Sequence, residues 1–403
     1  MNRRSFLLSA TGLAAGLAAP RLARADAPGV TATSIKIGHT CPYSGPASAY
    51  GAIGHGLTAY WKMVNDQGGI GGRKVEFISY DDGYVPARTV EQVRRLLEQD
   101  GVSFVLNPLG TPNNTAIEKY MNAKKVPQLF VATGADKWGD YKDYPWTMGW
   151  QPSYRTEAQI YAKYIGETVK DPKLAVLYQN DDFGKDYLIG LKDALGDKYD
   201  SVVIKTASYE VTDPTIDSQA ITLQGSGANV LLTAATPKFA AQMIRKIYDI
   251  GWKPMHFMTN VSVSVGSVIT PAGADKAVGM ITAGYEKDWT DPRWRQDAGL
   301  QTWRAFMQKY LPDGDLTDVN YVYAFGVGLT AQTVLTQCGG DLSRENIMKQ
   351  AANLRDLEVP TLLPGIKINT SPTNYHPIRQ MQLEKWDGKL WAVFGNVIEG
   401  ANV

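Results

Sequence analysis

The side chains that could carry out covalent chemistry are few and scattered. The chain has four histidines, His39, His55, His256 and His376, and two cysteines, Cys41 and Cys338. None sits at a ligand spacing such as HExxH or CxxC, so neither a metal nor another cofactor is expected. There is no GxSxG elbow and no GxxxxGK[ST] phosphate loop. Asp81-Asp82 and Asp181-Asp182 each follow a strand-like run. Neighbours on a strand point to opposite faces, so these pairs read as caps and hinge hydrogen-bonders, not as an acid–base couple. The glycine-rich Gly68–Gly72 follows a helix and precedes a strand, the reverse of a dinucleotide fingerprint. The chemistry on offer is non-covalent. Cys41–Gly51, Asp81–Tyr84, Asn107–Asn113 and Thr133–Trp138 are rich in Tyr, Ser, Thr, Asn, Gly and Pro. Taken alone, each is ordinary turn chemistry. Taken together at successive strand ends, they supply hydroxyls and helix N-terminal amides, which suit a carboxylate or other anion.

The elements around these loops alternate. Ile35–His39, Lys74–Tyr80, Val102–Leu106 and Val126–Ala132 read as strands. Between them, Ala49–Asn65, Pro86–Gln99 and Asn114–Lys124 read as helices, the first with Ile53, Leu57, Tyr60, Trp61 and Val64 on one face. After a pause near Tyr144–Trp150 the rhythm resumes. Helices are expected at Tyr154–Val169, Lys185–Leu195, Asp217–Gln224 and Phe239–Tyr248, with strands at Lys173–Gln179, Ser201–Thr206, Asn229–Thr233 and Met255–Met258. Strict alternation means α/β architecture, here two doubly wound units in tandem. In such sheets ligands bind outside the carboxyl ends of the strands, where the hydroxyl-rich loops lie.

Residues 1–25 read as an export signal of the twin-arginine type. Arg3 and Arg4 precede a short apolar run that ends in Ala23-Arg24-Ala25. Removing it takes the formal charge from +1 to about −3, which argues against nucleic acid or anionic membranes as partners. No later run of about 18 apolar residues occurs, so a soluble, exported, periplasmic chain is expected. Cys41 and Cys338 are read as two buried free thiols, with a single disulfide as the alternative.

The mature chain resembles the solute-binding proteins of ABC importers, in the type I group that includes the branched-chain amino acid binders. The resemblance rests on Ser44-Gly45-Pro46 through Tyr50-Gly51, Asn65–Arg73, Tyr80-Asp81-Asp82 and Asp182-Phe183-Gly184-Lys185. It implies two Rossmann-like lobes joined by three crossings, near Met148–Gln151, Met280–Glu286 and Leu362–Gly365. The division expected is lobe 1 over 26–148, lobe 2 over 149–281, lobe 1 again over 282–361, and lobe 2 again over 362–403. It also implies a non-catalytic monomer that delivers its ligand to an inner-membrane permease.

By the same resemblance, Leu109, Gly110 and Thr111, with Ala132, Thr133 and Gly134, grip a ligand carboxylate. Tyr50 and Tyr43 form an aromatic wall, and Phe183 closes the pocket from the second lobe. One position departs from the pattern. The glutamate that holds an amino acid's ammonium in this family is replaced here by Val261, and Thr236 or Ala235 stands for a tyrosine. No acid lies between Asp249 and Asp275. A buried, unpaired ammonium costs several kcal/mol. The expected ligand is therefore an aromatic monocarboxylate of the benzoate, hydroxybenzoate or phenylpropanoid type, with Asn260 or Ser262 meeting a distal polar group. A binder of neutral or branched-chain amino acids or amides is the first alternative, and requires an acid from elsewhere, such as Asp182 or Glu286. A secreted α/β hydrolase, and a sensor that docks a receptor, are the others.

Overall fold

A computed structural model describes residues 27–400. The twin-arginine signal lies outside the described residues. Two sheets form the frame. The first holds β1 (Ser34–Cys41), β2 (Lys74–Asp81), β3 (Phe104–Leu106), β4 (Gln128–Val131) and β5 (Thr147–Gly149), all parallel, in the order β2-β1-β3-β4-β5. The second holds β6 (Leu174–Gln179), β7 (Val203–Tyr209), β8 (Val230–Ala234), β9 (Met255–Met258), β10 (Ile281–Gly284), β11 (Gln380–Trp386) and β12 (Trp391–Glu399). Its order is β12-β11-β10-β9-β8-β6-β7, parallel except for the C-terminal hairpin on β10. The central strands are buried on both faces, as helices covering both sides require. The fold is α/β with two doubly wound lobes.

Three boundaries lie three residues from the pattern reading. A helix begins at Thr111, three residues earlier than expected, because Pro112 falls in its first turn. Proline is tolerated there, since that position has no helical hydrogen bond to lose. Another begins at Asp182, where the Asp181 side chain accepts from the Gly184 amide. Residues Tyr199–Val202 form a helical turn, which moves β7 to Val203–Tyr209.

The chain also returns to the first lobe. After β10, helices Ala298–Tyr310 and Asn320–Gln337 pack on helix Gly51–Asp66. Helix Asn320–Gln337 is buried nearly all round and so displays no amphipathic stripe. It approaches its neighbour through missing side chains. A Cβ on Gly328 would lie 2.6 Å from the Tyr60 ring, and one on Gly56 2.6 Å from Ala324 Cβ. The two crossing segments that follow β10 and precede β11 pair with each other, Glu286 opposite Leu362, with Lys287 N donating to Thr361 O and Leu363 N to Tyr285 O.

The Gly328 contact gives a direct test. Gly328→Leu forces a large side chain into the Tyr60 ring and should cost about 1–3 kcal/mol. Urea unfolding should read this as a lower midpoint at an unchanged m-value.

Candidate functional site

A cleft of about 620 Å³, counting the space at its mouth, opens where the carboxyl ends of the two sheets face each other. The loops after β1, β2, β3 and β4 line one side, through Tyr50, Tyr84, Leu109, Gly110, Thr111, Ala132 and Thr133. The second lobe lines the other, through Tyr154, Phe183, Thr236, Asn260, Val261 and Ser264. Gln151, Tyr285 and Glu286 lie on the crossings, and Val319, Asn320 and Tyr323 come from the returning segment.

The first lobe builds an anion end. The loops after β3 and β4 extend their ladder one step past the strands, with Leu109 bridged to Ala132 and Gly110 N donating to Ala132 O at 3.3 Å. Gly110 has φ +100°, and a Cβ there would lie 2.7 Å from both Asn113 Oδ1 and the Tyr84 ring. The turn therefore needs glycine. It aims the N-terminus of helix Thr111–Ala123 at the cleft, and the Thr111 amide has no partner among the described residues. Thr133 Oγ1 accepts from Ala135 N at 3.2 Å and from Trp138 Nε1 at 3.3 Å. Thr111 Oγ1 lies 2.5 Å from Thr133 Oγ1, and the two hydroxyls share one hydrogen bond in which either can donate. When Thr133 donates, the Thr111 hydroxyl proton is available to a ligand in the cleft. An unpartnered amide and a hydroxyl able to donate, on one residue at a helix N-terminus, form an anion-binding pair.

Strain gathers at the same edge. Tyr84, Asn107 and Phe130 have φ of 62°, 52° and 54°, the left-handed region that non-glycine residues rarely adopt. Each is held by surrounding bonds. Asp82 accepts from Tyr84 N and from Thr89 Oγ1, and Asn107 Nδ2 donates to Phe130 O and Tyr323 Oη. Asp82 thus braces the Tyr84 turn, and Asp81 holds the Tyr43–Ser44 turn by accepting from both amides. Neither functions as part of an acid–base pair in the cleft.

The body of the cleft is aromatic. Tyr154 and Phe183 meet at 4.8 Å between ring centres, on the wall opposite Tyr50 and Tyr84. Trp150, fully buried beside the cleft, meets Tyr323 and Tyr285 edge-on at 5.0 and 6.1 Å. The two lobes touch directly. Tyr50 Oη donates to Val261 O at 3.1 Å, Gln179 Nε2 to Tyr84 Oη at 3.4 Å, and Ser264 Oγ to Asp318 Oδ1 at 2.8 Å. Gly266 N donates to Thr317 O at 3.0 Å. This is the closed form of the cleft.

Two glutamates matter here, Glu157, buried in the second lobe, and Glu286, half-buried on the crossing. Glu157 accepts from Tyr161 Oη, Tyr187 Oη, Asn260 N and Asn260 Nδ2. Burial pushes its carboxyl up to about 7 against those bonds. It pins Asn260, and with it the turn carrying Val261. Glu286 is different. Part of its surface faces the cleft, while its Oε1 is sealed with no hydrogen-bond partner. Burial pushes its carboxyl well above the carboxylate range, and the like charges of Glu384 and Asp288 add to that.

Of the residues picked from sequence, Tyr50, Leu109, Gly110, Thr111, Ala132, Thr133, Phe183, Thr236, Asn260 and Val261 line this one cleft. Three expectations are corrected. Tyr43 faces away from the cleft, hydrogen-bonded to Ser79 and packed on the His55 ring. Gly134 lies behind Tyr154, where a Cβ would strike the Tyr154 ring at 2.9 Å. Ser262 donates to Ala235 O and is fully buried off the cleft. The sequence reading missed Tyr84, Gln151, Tyr154, Asn320 and Tyr323. Tyr84 follows the Asp81-Asp82 strand end and could have been found there, whereas Asn320 and Tyr323 lie on the helix that shows no stripe.

The remaining reactive groups lie elsewhere. His39 Nδ1 bonds Leu106 O, His256 bonds Thr233, and burial lowers the two imidazoles to about 4 and about 3. Cys41 and Cys338 are free and buried. Among the described residues no group of three or more His, Cys, Asp or Glu is placed to hold a metal, and no helix is long and apolar enough to cross a membrane.

Two lobes closed on one non-covalent site define a ligand-clamping protein. The chain belongs to the periplasmic binding protein family, whose profile matches residues 34–389. It is similar to Leu/Ile/Val-binding protein homolog 7 of Brucella abortus (strain 2308), 24% identical over 98% of this chain and 97% of that one. Among solved structures it is similar to a branched chain amino acid ABC transporter protein from Thermus thermophilus with bound valine. That match has a TM-score of 0.82 at 15% identity and covers 92% of this chain and 98% of that one. It is also similar to an ABC transporter solute binding protein from R. palustris in complex with 4-hydroxybenzoate, with a TM-score of 0.75, 17% identity, and coverage of 91% and 97%.

Glu157 makes stability pH-dependent in a defined direction. Its carboxyl rises from an ordinary 4.5 to about 7 on folding, so between those values the folded state holds more protons than the unfolded one. The stability it contributes is full below about 4.5 and is lost as pH rises through about 7. The stability of the native protein relative to Glu157→Gln should therefore fall between pH 4.5 and 7.5 in matched urea titrations. A difference that is flat or rises over this window would contradict the assignment.

Proposed function

We propose that this chain is the exported, periplasmic ligand-capturing component of an ABC importer, and that it clamps a small carboxylate between its lobes. The observation that carries this is the Thr111 pair: an amide without a partner among the described residues and a hydroxyl that can donate when Thr133 donates to it, both at the cleft. The carboxylate sits there, and the ligand body lies between Tyr50 and Tyr84 on one side and Tyr154 and Phe183 on the other. Delivery to the permease follows lobe opening. No histidine or cysteine lines the cleft, which speaks against the hydrolase alternative.

Within that class the first reading is an aromatic monocarboxylate of the benzoate, hydroxybenzoate or phenylpropanoid type. Six aromatic side chains line the cleft, enough to sandwich a flat ring. A relative of this fold holds 4-hydroxybenzoate. The second reading, a neutral or branched-chain amino acid or amide, is favoured by one specific observation. Val261 leaves no acid at the family's usual place, yet Glu286 brings a carboxyl to the same cleft from the second crossing.

A thermal-shift panel on the mature protein, freed of carried-over ligand, tests both. A ligand that binds only the folded form raises the melting temperature by mass action. Benzoate, 4-hydroxybenzoate or cinnamate should shift it. Shifts with leucine or valine alone would establish the second reading, and silence across all carboxylates would overturn the carboxylate reading itself. With the ligand in hand, Thr111→Ala should weaken binding by about 1–3 kcal/mol. Unchanged affinity would remove Thr111 from the site.

A further inference from the structure

Glu286 is held in a place where a carboxyl has little reason to be. Its backbone is fixed between the paired crossings, opposite Leu362. Its Oε1 is sealed from solvent and unpartnered, and its remaining surface faces the cleft. The neighbouring cations are committed elsewhere. Lys287 Nζ lies 2.8 Å from both Asp297 Oδ1 and Pro360 O, and Arg293 Nε lies 2.7 Å from Asp291 Oδ2. Behind Glu286 lies a second acid. A Cβ on Gly284 would sit 2.5 Å from Glu384 Oε1, so that carboxyl presses on the backbone of β10. Asp288 follows on the same segment, also desolvated. A buried acceptor with no internal donor lacks the hydrogen bond that nearly all such atoms make.

We propose that Glu286 reads a second polar group on the ligand, and selects those small carboxylates that carry an N–H or O–H donor, an ammonium or a hydroxyl, in reach of it. The inference rests on the carboxylate reading above. The second carboxyl oxygen is not sealed and also has no hydrogen-bond partner among the described residues, so it is there that a ligand donor reaches the carboxyl. An anionic group meets three neighbouring carboxyls, with Lys287 and Arg293 already paired elsewhere. The residue thus does for this cleft what an acid at the Val261 position would do, from a different strand and with tolerance for a neutral hydroxyl.

The test uses two ligand pairs that differ only in the donor, 4-hydroxybenzoate with benzoate and leucine with 4-methylpentanoate, titrated calorimetrically into the full mature protein. In at least one pair the donor-bearing member should bind about tenfold or more tighter, the size of one hydrogen bond to a charged or desolvated carboxyl. E286A should collapse that gap to about twofold or less. E286Q separates the two sources: a hydroxyl gap persists, because the amide oxygen still accepts, whereas an ammonium gap is lost with the charge. If E286A does not fold, as judged by its thermal transition, loss of the leucine gap in E286Q or of the hydroxybenzoate gap in E286L carries the test. A gap that survives E286A, or equal affinities within both pairs in the native protein, overturns the proposal. If neither member of either pair binds, the carboxylate reading fails and takes this proposal with it.

Discussion

When the cleft closes, the polar groups that line it lose access to bulk water, and each then needs a partner inside. Buried polar atoms that go unpaired are costly, so the organisation of the site is largely an accounting of donors and acceptors. Asp82 serves the Tyr84 turn, Asn114 holds the Pro108 and Gly110 carbonyls, and Glu157 takes four donors around Asn260. Among the cleft groups that these bonds leave unpaired are the Thr111 amide on one side and the Glu286 carboxyl on the other. The residue of the accounting describes the ligand by what it must supply.

Closure itself rests on few bonds. Tyr50 to Val261, Tyr84 to Gln179, Ser264 to Asp318 and Gly266 to Thr317 cross between the lobes. Each such bond is worth roughly 0.5–1.5 kcal/mol net. Bonds of that size can define the geometry of the closed state without locking it, which a protein that must release its cargo requires. A ligand that touches both lobes adds differential affinity for the closed form, and that alone shifts the balance. Tyr50 and Tyr84 serve twice, as walls of the cleft and as crossing points.

The strained residues belong to the same design. Tyr84, Asn107 and Phe130 take left-handed backbone at the strand ends that meet the cleft. Such conformations persist only where the surroundings over-determine them, and Asp82 and Tyr323 do so here. Helix Asn320–Gln337 therefore has two tasks. It packs on Gly51–Asp66 through Gly56 and Gly328, and it delivers Tyr323 to the side chain that steadies the loop before β4.

Much of this was legible in the chain. Alternating strand and helix periods set the parallel sheets, and hydroxyl-rich segments at the strand ends marked where a ligand lies, because side-chain period and turn chemistry are local properties. Tyr50, Thr111, Thr133 and Phe183 could be named on that basis together with the family pattern. Tyr43 could not be told from Tyr50, since a few residues of loop decide which ring turns inward. The stripe-less helix left Asn320 and Tyr323 unread. What tertiary structure alone decided is the charge balance of the site. The stretch from Asp249 to Asp275 lacks an acid, and read by itself it argues for a ligand without an ammonium. The acid arrives instead on the second crossing, as Glu286, with Glu384 brought beside it by a strand almost a hundred residues later. Sequence specifies which groups a chain owns and how each local segment folds. Which groups share one desolvated space is fixed only when distant segments pack, and the ligand responds to that shared space.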